Sequence, residues 1–188
     1  MKTHILPAIK LTVLCIILLA IVYPISILGI AQFSTNQGKG DLIKHNNKTF
    51  YANIGQSFTS DGYFWSRPSA VDYNAAGSGG SNKGPSNEEY LKQVEARIDT
   101  FMMKNPGIAK SEIPADLVTA SGSGLDPNIS VQAAKIQAKR IAKNRNLYER
   151  EINNLIDQNT EKPLIGLFGP EKINVLKLNV ALDQLGRK

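Results

Sequence analysis

The sequence predicts an α+β protein, with one amino-terminal transmembrane helix followed by a helix-rich mixed α/β extracytoplasmic domain. Three observations carry this reading. Leu11–Ala31 runs for about 21 residues without a charged side chain, which as a helix is roughly 30 Å, the hydrocarbon thickness of a bilayer. Beyond it, apolar residues recur at three- and four-residue spacing in stretches that open on capping residues. Between those stretches lie Gly, Pro, Ser and Asn clusters and short β-prone runs. The chain has 188 residues. The part after the apolar run, roughly 150 residues, is large enough to bury its own core.

In the apolar run a helix satisfies every backbone group internally. Pro24 is expected to kink it, with Ser26 as a compensating donor. Lys2, Lys10 and the free amino terminus flank the entry side, and no basic residue follows the run before Lys39. The positive-inside rule then gives a cytoplasmic tail (1–10), an anchor (11–33) and an external domain (34–188). A cleaved signal peptide is the competing reading, since Gly29 and Ala31 precede Gln32. The run is longer than the 7–15 residues of a signal core, which favours a retained anchor.

The remaining elements follow in order. Leu42–Lys44 and Lys48–Ile54 read as two strands around His45-Asn46-Asn47. An aromatic cluster (Phe58, Tyr63, Phe64, Trp65) precedes a long loop. Ser86 and Glu89 fit a capping box for a helix carrying Leu91, Val94, Ile98 and Phe101 on one face, ended by Pro106-Gly107. Ile113–Thr119 reads as a short strand and Ser121–Gly124 as a turn. Ser130 caps a helix that buries Val131, Ala134, Ala138 and Ile141 and turns Lys135, Lys139 and Lys143 to a neighbouring face. That lysine face is either solvated or meets an acidic partner or anionic lipid. A third helix covers Tyr148–Asp157, Leu164–Phe168 reads as a strand, and Asn174 caps a last helix with Val175, Leu178, Leu182 and Leu185 inward.

Composition excludes several functions. The net charge of +6 is a mild excess, short of the dense Lys/Arg patches of a nucleic-acid binder. Cys15 is the one cysteine, so no intrachain disulfide forms, and His4 and His45 are the only histidines, which argues against a metal site. Ser-His-Asp catalysis would need His45, at a turn tip where a histidine is ordinarily solvated. Glu88 and Glu89 are accounted for by the helix dipole. No enzyme activity of its own is expected.

The loop RPSAVDYNAAGSGGSNKGPSN, Arg67–Asn87, carries four glycines, four serines and three asparagines. It fails the Walker pattern, because Pro85 stands where the lysine must be, and the dinucleotide pattern, because Asn82 replaces the third glycine. A backbone nest for an anion stays open. Pro68, Tyr73 and Pro85 punctuate the loop and favour a shaped docking surface over a linker. The residues assigned to docking are Arg67, Tyr73, Ser78, Gly79, Gly80, Ser81 and Asn82. Arg67 offers a bidentate fork to a carboxylate, or a cation–π contact with Trp65 or Tyr63.

YFWSRPSAVDYNAAGSGGSNKGPSN (Tyr63–Asn87), PADLVTASGSGLDPNIS (Pro114–Ser130), AAKIQAKRIAKNR (Ala133–Arg145) and INVLKLNVALD (Ile173–Asp183) together resemble the C subunit family of the Kdp potassium-transporting ATPases. The resemblance covers nearly the whole chain, including the anchor. It implies an accessory subunit in a bacterial plasma (inner) membrane, without catalysis of its own. Its implied partners are a P-type ATPase B subunit that uses ATP with Mg, a channel-like A subunit and a small F subunit. It implies a role in assembly and as a catalytic chaperone that raises the partner's ATP affinity. Ser121, Gly122, Ser123, Gly124, Asp126 and Gln137 are then candidates for a nucleotide-related role, although an external domain would not meet cytoplasmic ATP. A membrane-anchored or secreted protein that binds a small anion through its Gly/Ser turns is the alternative.

Overall fold

The computed structural model describes residues 2–34 and 36–186. The charge expected at the amino terminus of Met1 and on the Lys2 side chain lies outside what is described. The chain divides into two compact units, 1–42 and 43–188.

The first unit is a helix from α1 (Lys2–Ile16) through a π-helical stretch, Ile17–Val22, into α2 (Tyr23–Ala31). From His4 to Ala31 it is long and apolar enough to cross a membrane, and none of it is buried in the protein. The π stretch lies just before Pro24, which has no N–H to give the preceding turn. There the ladder lengthens, with Tyr23 N–H donating to Leu18 O, a usual response to a ladder interruption. Ser26 Oγ donates to Val22 O at 2.8 Å, the compensation expected for it.

The second unit opens with a hairpin of β1 (Leu42–His45) and β2 (Lys48–Tyr51). Asn46 and Asn47 have φ of 47° and 60°, the left-handed pair that a two-residue turn requires and asparagine tolerates. The next helix, α3 (Glu88–Lys104), begins one residue later than the Ser86 box implies. Asn87 Oδ1 accepts from Tyr90 N–H at 2.9 Å, and Glu89 instead meets Lys83 at 3.1 Å. Phe101 is buried, Val94 and Ile98 pack against the core, and Leu91 is exposed. Ile113–Thr119 is not a strand. Pro114 fixes an extended φ of −66° and opens a 3₁₀ turn, Ala115–Leu117, which buries Leu117 and Val118.

The helix expected after Ser130 forms in two pieces, α4 (Val131–Lys135) and α5 (Ala138–Arg145). The break lies at Gln137. Its side-chain amide donates to Ala133 O at 2.9 Å, the carbonyl its own N–H would reach in a continuous helix. That N–H turns to Ala134 O instead, and the turn tightens. Lys135, Lys139 and Lys143 are exposed as expected. α6 (Glu149–Gln158) and α7 (Val175–Leu185) follow, α7 capped by Asn174. Three very short strands, β3 (Asn128–Ile129), β4 (Thr160–Glu161) and β5 (Lys172–Asn174), make an antiparallel sheet in the order β3-β5-β4. The register pairs Ile129 and Thr160 with Ile173. The core lies among α4–α7 and β5 around Ile141, Ile152, Ile156, Ile173, Leu178 and Leu182, with Phe64 and Phe101 inserted from the loop side.

Leu164–Phe168, expected as a strand, is a reversal of direction. Ile165 and Gly166 have φ of 57° and 72°, and Leu164 and Phe168 exchange both backbone hydrogen bonds at 3.1 Å.

Candidate functional site

The Arg67–Asn87 loop is rooted in Asp61–Trp65, a turn closed by Tyr63 N–H on Ser60 O at 3.1 Å that runs into irregular backbone at Phe64 and Trp65. Backbone outside helix and sheet must find partners somewhere, and here side chains supply them. Asn179 accepts from Phe64 N–H at 2.9 Å and donates to Phe64 O at 3.0 Å. Gln137 Oε1 accepts from Trp65 N–H at 2.8 Å. Arg140 donates to the carbonyls of Asp61 and Tyr63 and to Gln137 Oε1 and Asn105 Oδ1, while Arg145 Nε donates to Gly62 O at 2.7 Å.

The same two arginines cover the aromatics. Arg140 lies over the Trp65 ring at 4.6 Å and Arg145 over Tyr63 at 4.4 Å. The sequence offered Arg67 for that contact, and the structure gives it to these two. Burial lowers the Arg140 guanidinium to about 10, against the opposing charge of Asp61. Arg145 and His45 meet Asp183 at 2.8 and 2.9 Å, and the Tyr63 hydroxyl donates to it at 3.1 Å. Burial by itself would raise the Asp183 carboxyl, but hydrogen bonds from Arg145, Tyr63 and His45, together with the Arg145 charge, hold it below its ordinary value. His45 is therefore tied to α7, not simply solvated.

Beyond this root the loop is closed by its own polar groups. Asp72 and Tyr73 have φ of 50° and 58°, and Asn74 N–H donates to Val71 O at 2.9 Å across them. A left-handed tyrosine is uncommon and persists only where surroundings hold it. Ser69 Oγ accepts from Tyr73 N–H, and the Tyr73 hydroxyl donates to Arg67 O at 2.6 Å. Burial pushes that phenol's pKa up.

The loop is then stitched to the Ser121–Asp126 turn. Ser123 O accepts from Gly79 N–H at 2.9 Å and Ser78 Oγ at 3.0 Å. Arg67 Nη1 meets Asp126 Oδ2 at 2.9 Å. Arg67 thus meets a carboxylate of its own chain through one nitrogen, not through the expected bidentate fork. Asp126 Oδ1 accepts from Asn128 N–H. Gly124 has φ +67°, and a Cβ there would lie 2.6 Å from Val71 Cγ2 and 2.7 Å from Gly79 O. Gly55 crosses the same turn, its N–H donating to Leu125 O at 2.7 Å.

The structure thus joins most of the sequence-derived residues into one face. Arg67, Tyr73, Gly79, Gly80, Ser81 and Asp126 are half-buried, and Ser78, Asn82, Gly122 and Ser123 are exposed. Ser121 and Gly124 lie beneath it. Gln137 does not belong to it; the residue is fully buried and its amide is occupied by Trp65, Ala133 and Arg140. Beside the face, Pro68, Tyr73, Trp65, Arg97 and Thr100 line a cavity of about 460 Å³. No group of three or more metal-ligating side chains occurs among the described residues. The assembled groups offer shape and hydrogen bonding.

Sequence reading missed Asn179, Arg140 and Arg145, and it named Gln137 for a nucleotide-related role, whereas the structure uses that side chain to hold Trp65 and Arg140. The available signal was polar side chains within an otherwise apolar helix stripe, Gln137 and Arg140 between Ala134 and Ile141.

The pattern of the family described as "KdpC: K+-transporting ATPase, c chain" matches residues 5–184. The chain belongs to this family. Among KdpC relatives, the potassium-transporting ATPase KdpC subunit of Flavobacterium johnsoniae is 58% identical over 94% of this chain and 95% of its own length. The KdpC subunit of Caldanaerobacter subterraneus is 48% identical over 93% and 91%. That of Bacteroides fragilis is 47% identical over 98% of each. The match to the KdpC family takes in the long apolar helix as well as the loop-and-turn face.

Proposed function

We propose that this KdpC chain is the accessory subunit of an ATP-driven potassium uptake pump, and that the loop-and-turn face is where it docks. In this reading His4–Ala31 is a retained single-pass anchor in the bacterial plasma membrane. The amino terminus is cytoplasmic and the 43–188 unit external. The partners are the P-type B subunit, the channel-like A subunit and the small F subunit, and ATP with Mg belongs to the B subunit. The chain performs no catalysis. It assists assembly and acts as a catalytic chaperone mechanically, by favouring the pump conformation that binds ATP tightly. Raised ATP affinity then follows by linkage without nucleotide contact.

The observation that carries this reading is the pinned loop. Left-handed Asp72, Tyr73 and Asn82 and long-range bonds to Ser123 and Asp126 give a pre-shaped polar surface, and a rigid surface binds without an ordering penalty. Charge supports the orientation through Lys10 before the apolar run and the lack of basic residues after it until Lys39.

Arg67→Ala is the test. Its half-exposed ion pair contributes about 1 kcal/mol or less to stability, so the folded chain is expected to persist while co-purification with the pump subunits drops. An unfolded variant, or one that assembles normally, would count against the docking role. Protease added to right-side-out vesicles is expected to digest the 43–188 unit, and protection would reverse the orientation.

A further inference from the structure

Leu164, Ile165, Leu167 and Phe168 are 70%, 80%, 78% and 66% exposed, side by side on one reversal of the chain. No charged residue occurs from Pro163 to Pro170. Contiguous apolar exposure of this kind marks an interaction site.

The tip is formed, not frayed. Gly166 N–H donates to Pro163 O at 2.9 Å, Leu167 N–H to Leu164 O at 3.2 Å, and Leu164 and Phe168 close the base. Ile165, a β-branched residue, sits at φ 57°, a conformation uncommon for such a side chain, within this turn. β4 and β5 hold the two ends of the segment in one sheet.

We propose that this tip is a hydrophobic anchor that seats in an apolar pocket on the extramembrane surface of another subunit of the same pump. The inference rests on the accessory-subunit reading for the existence of that partner, and not on the loop-and-turn face. Charge selects the occupant. The collar alternates in sign, Glu161-Lys162 on one side and Glu171-Lys172 on the other, and sums to zero. Lys172 and Lys177 both turn onto Glu161, at 3.8 and 3.2 Å. A loop that dips into a bilayer would hold its lysines for anionic headgroups and carry interfacial Trp or Tyr. A neutral polar collar around an apolar, aromatic-bearing knob is instead the pattern of a protein hot spot and its water-excluding rim. A second copy would have to be held by this tip alone, and four side chains fall short of the roughly 800 Å² per partner that a stable dimer buries, whereas a pump subunit is held beside this chain by the rest of the complex.

The test uses the full chain expressed with its pump subunits in membranes. With a photoreactive benzoyl-phenylalanine at position 167, irradiation is expected to give an adduct with a different protein subunit. Adducts confined to lipid, or to a second copy of this chain, overturn the proposal. The double variant Leu167→Asp, Phe168→Asp is expected to lower retention in the detergent-solubilised complex by about tenfold or more. Its unfolding temperature should stay within about 2 °C of wild type, since both side chains are exposed. Unchanged retention overturns the tip as an anchor while leaving the accessory-subunit reading in place. A wild-type chain that co-purifies with no pump subunit overturns both.

Discussion

Two loops of the second unit are held in opposite ways. The Arg67–Asn87 loop is polar and rich in glycine, yet its fixing bonds reach 45 residues along the chain from Ser78 to Ser123 and 59 from Arg67 to Asp126. The Pro163–Pro170 tip is apolar, and the bonds that shape it run between Pro163 and Phe168. By composition, the first would be the mobile segment and the second a core strand. The difference teaches that order follows from where backbone donors and acceptors find partners. Composition alone misassigns both loops, since the first is pinned and the second is an exposed, self-bonded turn.

The strongest way to break this comparison is at the root of the first loop. Arg140→Met removes the donor shared by Asp61 O, Tyr63 O, Gln137 and Asn105. Leaving buried Asn105 Oδ1 and the half-buried Asp61 and Tyr63 carbonyls without that donor, while Gln137 Oε1 keeps Trp65 N–H, is expected to cost about 3–5 kcal/mol, measured by denaturant unfolding. Gly124→Ala acts on the stitch. A left-handed φ and a Cβ 2.6 Å from Val71 together are expected to cost about 2–3 kcal/mol, read from the same transition.

Acid sharpens the picture. Because the folded Asp183 carboxyl is held below its ordinary 3.8, its contribution is complete above that pH and fades as the pH falls through the folded value. The stability gap between wild type and Asp183→Asn is expected to shrink on acidification below 3.8, in unfolding curves taken from neutral to strongly acid pH. The smallest effect belongs to the tip, where Leu167→Ser is expected to change stability by about 0.5 kcal/mol or less. A larger loss would mean that the tip packs against its own domain.

Local chemistry was legible where it acts alone. Ser130 and Asn174 announced their helices because a cap needs only its own next turn, and Asn46-Asn47 announced the hairpin turn. The α4–α5 break was hidden, since it depends on Gln137 reaching both Ala133 and Trp65. β3, β4 and β5 are two or three residues long, too short for any alternation to register. On the site, the loop and the turn were both marked by composition, and the bond between them was not. Arg67 and Asp126 lie in separate stretches, and nothing local pairs them. The aromatic cluster was visible, but the arginines covering it come from a helix more than 70 positions away.

Asn179 grips Phe64 from 115 residues downstream. On a ribosome adding about 5–20 residues per second, Phe64 is made roughly 6–23 s before its clamp. The polar face that Phe64 helps root is thus among the last surfaces a nascent chain completes. A prematurely terminated product lacking α7 would carry the apolar helix and no finished face.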